Sequence, residues 1–314
     1  MTEQQPPRFA VIIPVHNGAK TLARALDSVL AQTWPAHEII VVDDGSRDAS
    51  AEVAARYGER VQLLRQENQG VSAARNAGVA AASAEWLCFL DADDWYYPER
   101  LSRHARMIER DAAIDFLTGD FDYVDFDGRH LRRSMESTPA GRQVLAQAAD
   151  DEAMMTGEVL GDFIAQHFGD THTLTVPRAS FQALGGYPTG FVVCEDVNFL
   201  IRLCARSRRV GVACVPLAAY RIHSHGATRS DPLRAQRQTL AALSALVPQL
   251  ADAEPAIRRG LQEGIAAARL DLASCLLRNG LRLQAVKAVL PLLKNGSLRS
   301  LRTVLSVLKS ALAV

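Results

Sequence analysis

The sequence has no stretch near the 18 consecutive apolar residues that a membrane-crossing helix needs. Its opening, MTEQQPPRFAVIIPV, also lacks the basic segment and long apolar core of a secretory signal. Both absences point to a cytoplasmic protein, either free or bound at a membrane surface. Neither charge sign is in excess: Lys plus Arg and Asp plus Glu number 35 each. That balance argues against nucleic acid as a partner and makes any electrostatic function local. Cysteines are few, five in all (Cys88, Cys194, Cys204, Cys214, Cys275), odd in number and without a close pair. They read as buried thiols in a reducing compartment, which excludes a disulfide framework. What the chain does have is apolar residues, 48% of 314, with 22% charged. It can therefore bury a substantial core, and a disordered or collagen-like chain is excluded.

Those apolar residues are patterned. FAVIIPV (9–15) reads as a buried strand from its β-branched continuity, and AKTLARALDSVLAQ (19–32) follows with Leu22, Ala25, Leu26, Val29 and Leu30 at helical spacing. EIIVVDD (38–44) and DASAEVAARYG (48–58) repeat the pair, then VQLLRQ (61–66) and SAARNAGVAAAS (72–83), then EWLCFLD (85–91). Strands alternating with helices predict an α/β fold with a largely parallel, Rossmann-like nucleotide-binding sheet covered on both faces. Ligands of such sheets bind at the carboxyl ends of the strands.

The polar residues collect at those ends: His16 and Asn17, then Asp43 and Asp44, then Asp91, Ala92 and Asp93. VVDDGSRD could be an ordinary turn and helix cap, but a turn does not need two adjacent carboxylates behind a buried strand. In FLDADDW, Asp94 can cap the next helix, which leaves Asp91 and Asp93 unexplained. Hard divalent cations prefer oxygen ligands, and Mg²⁺ commonly combines one or two carboxylates with substrate phosphates and water. These acids are therefore candidates for holding a metal that in turn holds a diphosphate.

VIIPVHNGAKTLARALDSVLAQTWPAHEIIVVDDGSRDAS, QENQGVSAARNAG and FLDADDW, followed by LGGYPTGFVVCEDVNFLIRL and YRIHSHGAT, resemble the successive signatures of family 2 glycosyltransferases across residues 9 to 230. The resemblance implies a GT-A fold and a nucleotide diphosphate sugar donor, with UDP as the first expectation. It places Pro14, His16, Asn17, Asp43 and Asp44 around the nucleoside, with Asp43 toward the base, and Arg75 and Asn76 near the nucleotide. Asp91, Ala92 and Asp93 become the DxD motif on Mn²⁺ or Mg²⁺. His16 stands where the family commonly has Tyr and can still stack on a base. The late His223 matches a family histidine that meets metal or diphosphate, and Arg221 would help neutralise phosphate.

Glu195 and Asp196 could simply be acids placed favourably at a helix N-terminus. The resemblance makes this pair the seat of the catalytic base, Asp196 first, with Glu195 as the second candidate or as its positioning partner. It implies inverting, metal-dependent transfer of a single sugar to a hydroxyl of a bacterial surface-glycan or lipid-linked acceptor. The absence of a QxxRW sequence and of membrane spans argues against a processive synthase. Two alternatives remain open, a nucleotidyltransferase on a related α/β fold and a degenerate nucleotide-sugar-binding protein.

Three regions are expected: a nucleotide-sugar-binding half (1–100), an acceptor-binding α+β half carrying the base (101–234), and a C-terminal helical appendage (235–314). In the second, FLTGDFDYVDFDGRHLRR (116–133) reads as a hairpin with solvated acids, and STPAGRQVLAQAADDEAMMTG (137–157) as either a loop or a marginal helix over the cleft. In the third, no acid follows Asp271, while Arg278, Arg282, Lys287, Lys294, Arg299, Arg302 and Lys309 follow it. The last helix aligns Leu298, Leu301, Leu305, Leu308 and Leu312. It either packs on the catalytic body or lies on anionic lipid, giving peripheral association with the inner membrane face.

Overall fold

The structure is a computed structural model describing residues 5–222 and 227–295, together with positions 304, 305, 307 and 309. Ten strands form one sheet: β1 (Phe9–Val15), β2 (Glu38–Asp44), β3 (Gln62–Gln66), β4 (Trp86–Phe89), β5 (Trp95–Tyr96), β6 (Phe116–Val124), β7 (His130–Arg133), β8 (Glu152–Met155), β9 (Thr175–Pro177) and β10 (Val210–Arg221). The order is β3-β2-β1-β4-β9-β6-β10-β5, with β7 on β6 and β8 on β10. The first four strands are mutually parallel. Beyond them β9 runs antiparallel between β4 and β6, and β6 and β10 are again parallel to each other. A parallel block followed by a mixed half matches the architecture expected from the sequence.

Every residue of β1 is buried, because helices cover both faces of the sheet. Phe9, Val11 and Ile13 enter one core with Leu22 and Leu26, while Ala10 and Ile12 enter the other with Ile40, Val42 and Phe89. The helix Val71–Ala81 is pressed close to β1: a Cβ on Gly78 would lie 2.5 Å from Ile12 Cγ2. This approach needs a glycine, and it fixes Arg75, one turn earlier, above the strand ends.

Two local expectations are corrected and an open choice is resolved. Asp120 of the hairpin is not solvated: it is wholly buried and accepts hydrogen bonds from Met135 N (2.9 Å) and Arg133 Nε (2.8 Å). The reason is that β6 is an interior strand, flanked by β9 and β10. Asp94 caps no helix; its Oδ1 accepts from Arg221 N at 2.8 Å. Residues 137–157, expected as a loop or a marginal helix, hold a short helix and a strand. The helices Ser134–Ser137 and Pro139–Ala146 are followed by β8, which pairs with β10. An eight-residue helix is too short to display a clear apolar period.

The helix Pro255–Arg278 packs on the helix Glu158–Ala165 through two glycines; a Cβ on Gly260 would lie 2.2 Å from the Gly161 carbonyl oxygen. Arg259 secures the crossing through Glu158 (2.9 Å) and Asp162 (3.1 Å). Of the last segment, Val304 is buried against Leu272 and Leu276 whereas Leu305 is 45% exposed. Leu298, Leu301, Leu308 and Leu312 lie outside the described residues.

Candidate active site

The chain leaves β1 at His16 and turns through Asn17 in the left-handed region (φ 55). The turn is clasped to the loop after β2. Asn17 N donates to Ser46 Oγ (2.9 Å), Gly18 N to Ser50 Oγ (2.9 Å) and Ala19 N to Asp48 Oδ2 (3.0 Å), while Arg47 N donates to Asn17 Oδ1 (2.8 Å). His16 is exposed; its Nδ1 donates to the Asp44 carbonyl at 2.8 Å, and its Nε2 accepts from Asn17 Nδ2 at 2.9 Å. Pro14 is buried within β1.

The two acids closing β2 have different surroundings. Asp43 is fully buried, accepting from Ser46 N (2.9 Å) and from Arg65 Nε (3.2 Å), whose side chain is 65% exposed. A ligand reaching Asp43 must therefore move Arg65 aside. Asp44 accepts from Gln66 Nε2 (2.7 Å), Gln69 N (2.9 Å) and Gly70 N (2.8 Å). It shapes the approach to the helix Val71–Ala81 and has little capacity left for a ligand.

Across the crevice lies the N-terminus of the helix Glu195–Cys204, entered at Cys194 with φ 67. Buried Arg75 joins the two sides, with Nη2 donating to Asp91 Oδ1 at 2.7 Å and Nη1 to Glu195 Oε1 at 2.8 Å. Burial, then the charge of Asp196, pushes the Glu195 carboxyl up to about 7 against the pull of Arg75. Asp196 behaves in the opposite sense: burial pushes it up, but Arg75 and a hydrogen bond with Asp170 outweigh burial and hold it below the usual range. Glu195 is 6% exposed, whereas Asp196 keeps a partly open surface. Of the two, Asp196 is the carboxylate that a second substrate can reach.

Asp91 has a side chain one-third exposed and Asp93 is half-buried. Ala92 between them is buried, near Gly18. Among the described residues no three His, Cys, Asp or Glu side chains converge as a ready-made metal cage. The oxygen-only donors Asp91 and Asp93 fit a hard divalent cation that completes its shell with phosphate and water. Arg75 Nε, Asp94 Oδ2 and His172 Nε2 are buried around this crevice without a hydrogen-bond partner among the described residues. Polar atoms left this way suit a site that takes a polar ligand or water.

Not every expected residue faces the crevice. Asn76 has both amide atoms on the Tyr187 backbone, donating to its carbonyl and accepting from its N–H at 2.9 Å each, so it pins the Gly185–Tyr187 turn. Arg221 lies at the end of β10 with its guanidinium 5.4 Å from the Phe126 ring. His223 lies outside the described residues. Sequence reasoning missed Asp170, Thr171 and His172, which the loop before β9 delivers to the Glu195–Asp196 side of the crevice. Thr171 Oγ1 donates to Asp196 Oδ2 at 3.2 Å. Burial lowers His172 to about 4, so its ring is neutral near neutral pH. An Asp preceding Thr-x-Thr is a capping signal that could have marked the loop as ordered.

Residues 10–158 match the family described as Glycosyl transferase family 2. That stretch, just under half of the chain, carries a family 2 glycosyltransferase domain. The chain is 43% identical over 135 residues to the succinoglycan biosynthesis protein ExoO of Rhizobium meliloti, covering 42% of this chain and 38% of that protein. It is 30% identical over 231 residues to EpsH of Bacillus subtilis, covering 70% of this chain and 62% of EpsH. The chain thus spans less than two thirds of either relative. Among solved structures, S. aureus TarS 1–349 in complex with UDP-GlcNAc matches with a TM-score of 0.62 at 20% identity, over 90% of this chain and 79% of that one. The mannosyltransferase PcManGT from Pyrobaculum calidifontis, solved with GDP-Man and Mn²⁺, matches with a TM-score of 0.63 at 18% identity, over 98% and 81%. At these identities the likeness shows the GT-A-like fold.

Proposed function

We propose that this protein is an inverting family 2 glycosyltransferase that moves one sugar from a nucleotide diphosphate sugar to a hydroxyl of a surface-glycan or lipid-linked acceptor. One observation carries the reading: Arg75 ties the acid at the end of β4, Asp91, to the acid pair opening the helix Glu195–Cys204. Donor-side and acceptor-side groups thus share one crevice. The UDP-GlcNAc and GDP-Man of the two structural neighbours support this class of donor.

In this reading the donor's nucleoside lies along His16, Asn17 and Asp43, and Asp91 and Asp93 hold Mn²⁺ or Mg²⁺ beside its diphosphate. Such a cation stabilises negative charge on the leaving diphosphate. The chain's own work is on the other side of the sugar. Asp196 takes the proton of the acceptor hydroxyl as that oxygen attacks the anomeric carbon from the face opposite the diphosphate. Burial of Glu195 and Arg75 beneath it keeps the base in place and excludes water. Among the described residues no helix is long and apolar enough to cross a membrane. The basic C-terminal region exposes Leu283, Leu290 and Leu293, which supports peripheral association with a membrane carrying a lipid-linked acceptor.

The test is incubation of the full chain with nucleotide-sugars and glycan acceptors, with and without Mn²⁺. Metal-dependent release of nucleoside diphosphate is expected. Release of pyrophosphate from a nucleoside triphosphate would replace this reading with nucleotidyl transfer.

A further inference from the structure

The loop before β9 carries a carboxyl group with no role in the reaction outlined above. Asp170 opens the short turn Thr171–Thr173 in a reciprocal cap: its Oδ1 accepts from Thr171 N at 2.7 Å, and its own N–H donates to Thr173 Oγ1 at 3.1 Å. The same carboxyl group lies within hydrogen-bonding reach of the Asp196 side chain, and Thr171 Oγ1, next to it in the cap, donates to Asp196 Oδ2 at 3.2 Å. Two carboxylates within that reach repel each other, and a single proton held between them turns the repulsion into a hydrogen bond.

We propose that Asp170 is a positioning residue for the base: its carboxyl O–H donates to the Asp196 carboxylate and, with the Thr171 hydroxyl, aims that carboxylate at the acceptor. This inference rests on Asp196 being the base. The directions of titration agree with it. Burial, then the charge of Asp196, pushes Asp170 well above the usual range, while Asp196 is held below it, so the shared proton belongs to Asp170. The charged and titratable groups facing the pair are Cys194 and Glu195 beside Asp196 at the start of its own helix, Arg75 and Asp91 across the crevice, Asp94 between β4 and β5, Tyr123 on β6, Tyr187 before that helix, Tyr220 on β10, and His167 and His172 on the loop itself. During transfer Asp196 gains the acceptor's proton as the new C–O bond forms and the diphosphate departs with the electron pair of the old one. Asp170 keeps its own proton throughout and passes nothing on.

Asn and Ser both cap turns well, but only Asn carries a donor long enough to meet Asp196. Asp170→Asn should keep kcat within about threefold. Asp170→Ser should lose about 10- to 100-fold, the span of a charge-assisted hydrogen bond, with the donor KM unchanged and the acid limb of kcat/KM moved upward. Equal activities for Asn and Ser would overturn the proposal, because capping alone would then explain Asp170. If the Ser variant does not fold, Thr171→Val removes the second donor and leaves the cap intact; an unchanged kcat and acid limb would count against the idea. An arm independent of activity reads the proton directly. The infrared difference between wild type and Asp170→Asn near neutral pH should contain a protonated-carboxyl band, and its absence overturns the proposal even where no donor is turned over. A wild type that transfers no sugar while showing this band would instead sink the functional reading alone.

Discussion

Replacing Arg75 by Met keeps a buried stem and removes the guanidinium that joins Asp91 to Glu195. Removing one partner of a buried ion pair costs about 3–5 kcal/mol, which at the low end of 2–4 °C per kcal/mol for a chain of this size is a fall in Tm of roughly 6–10 °C. The pH dependence is the sharper test. Glu195 already has a folded value raised to about 7 from an ordinary 4.5. The stability gained from its protonation is therefore fully present below 4.5 and lost as pH rises through about 7. Without the cation the folded value climbs further, so the variant goes on losing stability at higher pH, after the wild type has levelled. The gap between the two should stay nearly constant from 4.5 to 7 and widen above it by up to about 1.4 kcal/mol per pH unit. Denaturant unfolding of both proteins from about pH 6 to about pH 9 measures this directly. Parallel curves above neutrality would refute the claim that Arg75 holds an ionised Glu195.

Asp93→Ala should abolish the extra thermal stabilisation that Mn²⁺ gives in the presence of a nucleoside diphosphate while leaving the fold intact, and an undiminished Mn²⁺ effect would remove Asp93 from the metal assignment. Asp196→Asn should still bind donor and metal but lose about 10²- to 10⁴-fold in kcat. A dead Glu195→Gln beside an active Asp196→Asn would reverse the two roles. Gly260→Ala places a Cβ 2.2 Å from the Gly161 carbonyl and should cost about 1–3 kcal/mol as the two helices separate. Tm should drop by several degrees with donor binding retained; an unchanged Tm would mean that the helices do not cross there.

The nucleotide-side half of the fold was legible because its physics is local. Parallel strands buried on both faces must be continuous apolar runs, and the acids that break such runs mark the strand ends. Asp91 and Asp93 are found by that rule alone. It says nothing about where each side chain points, however. Asp44 and Asn76 sit beside the crevice in sequence, yet their hydrogen bonds go to the backbone of Gln69, Gly70 and Tyr187. Asp120 was misread for a related reason: the alternation of a hairpin assumes one wet face, and β6 has neighbours and packing on both sides. Asp170 was illegible because its contact with Asp196 spans a helix and two glycine-rich turns, and only the assembled fold brings the loop before β9 to that helix.

The proton inventory of the crevice ties these residues together. Six carboxyl groups, Asp91, Asp93, Asp94, Asp170, Glu195 and Asp196, are linked to one another through this crevice, with Arg75 paired to Asp91 and Glu195, and a full set of charges there would be costly without further cations. The fold reduces that load selectively. Burial, then the charges of Asp93 and Asp91, pushes Asp94 well up, and Asp170 is pushed the same way by burial and Asp196. Asp196 is driven down instead, by the cation and the hydrogen bond placed next to it, which outweigh its burial. Near neutral pH Asp196 is therefore ionised beside the neutral ring of His172, with the proposed proton on Asp170, while Glu195 rests on Arg75 and Asp91 and Asp93 lie across the crevice. A base is useful only if it is free of protons before the acceptor arrives, and this arrangement meets that requirement without exposing Asp196 fully to water.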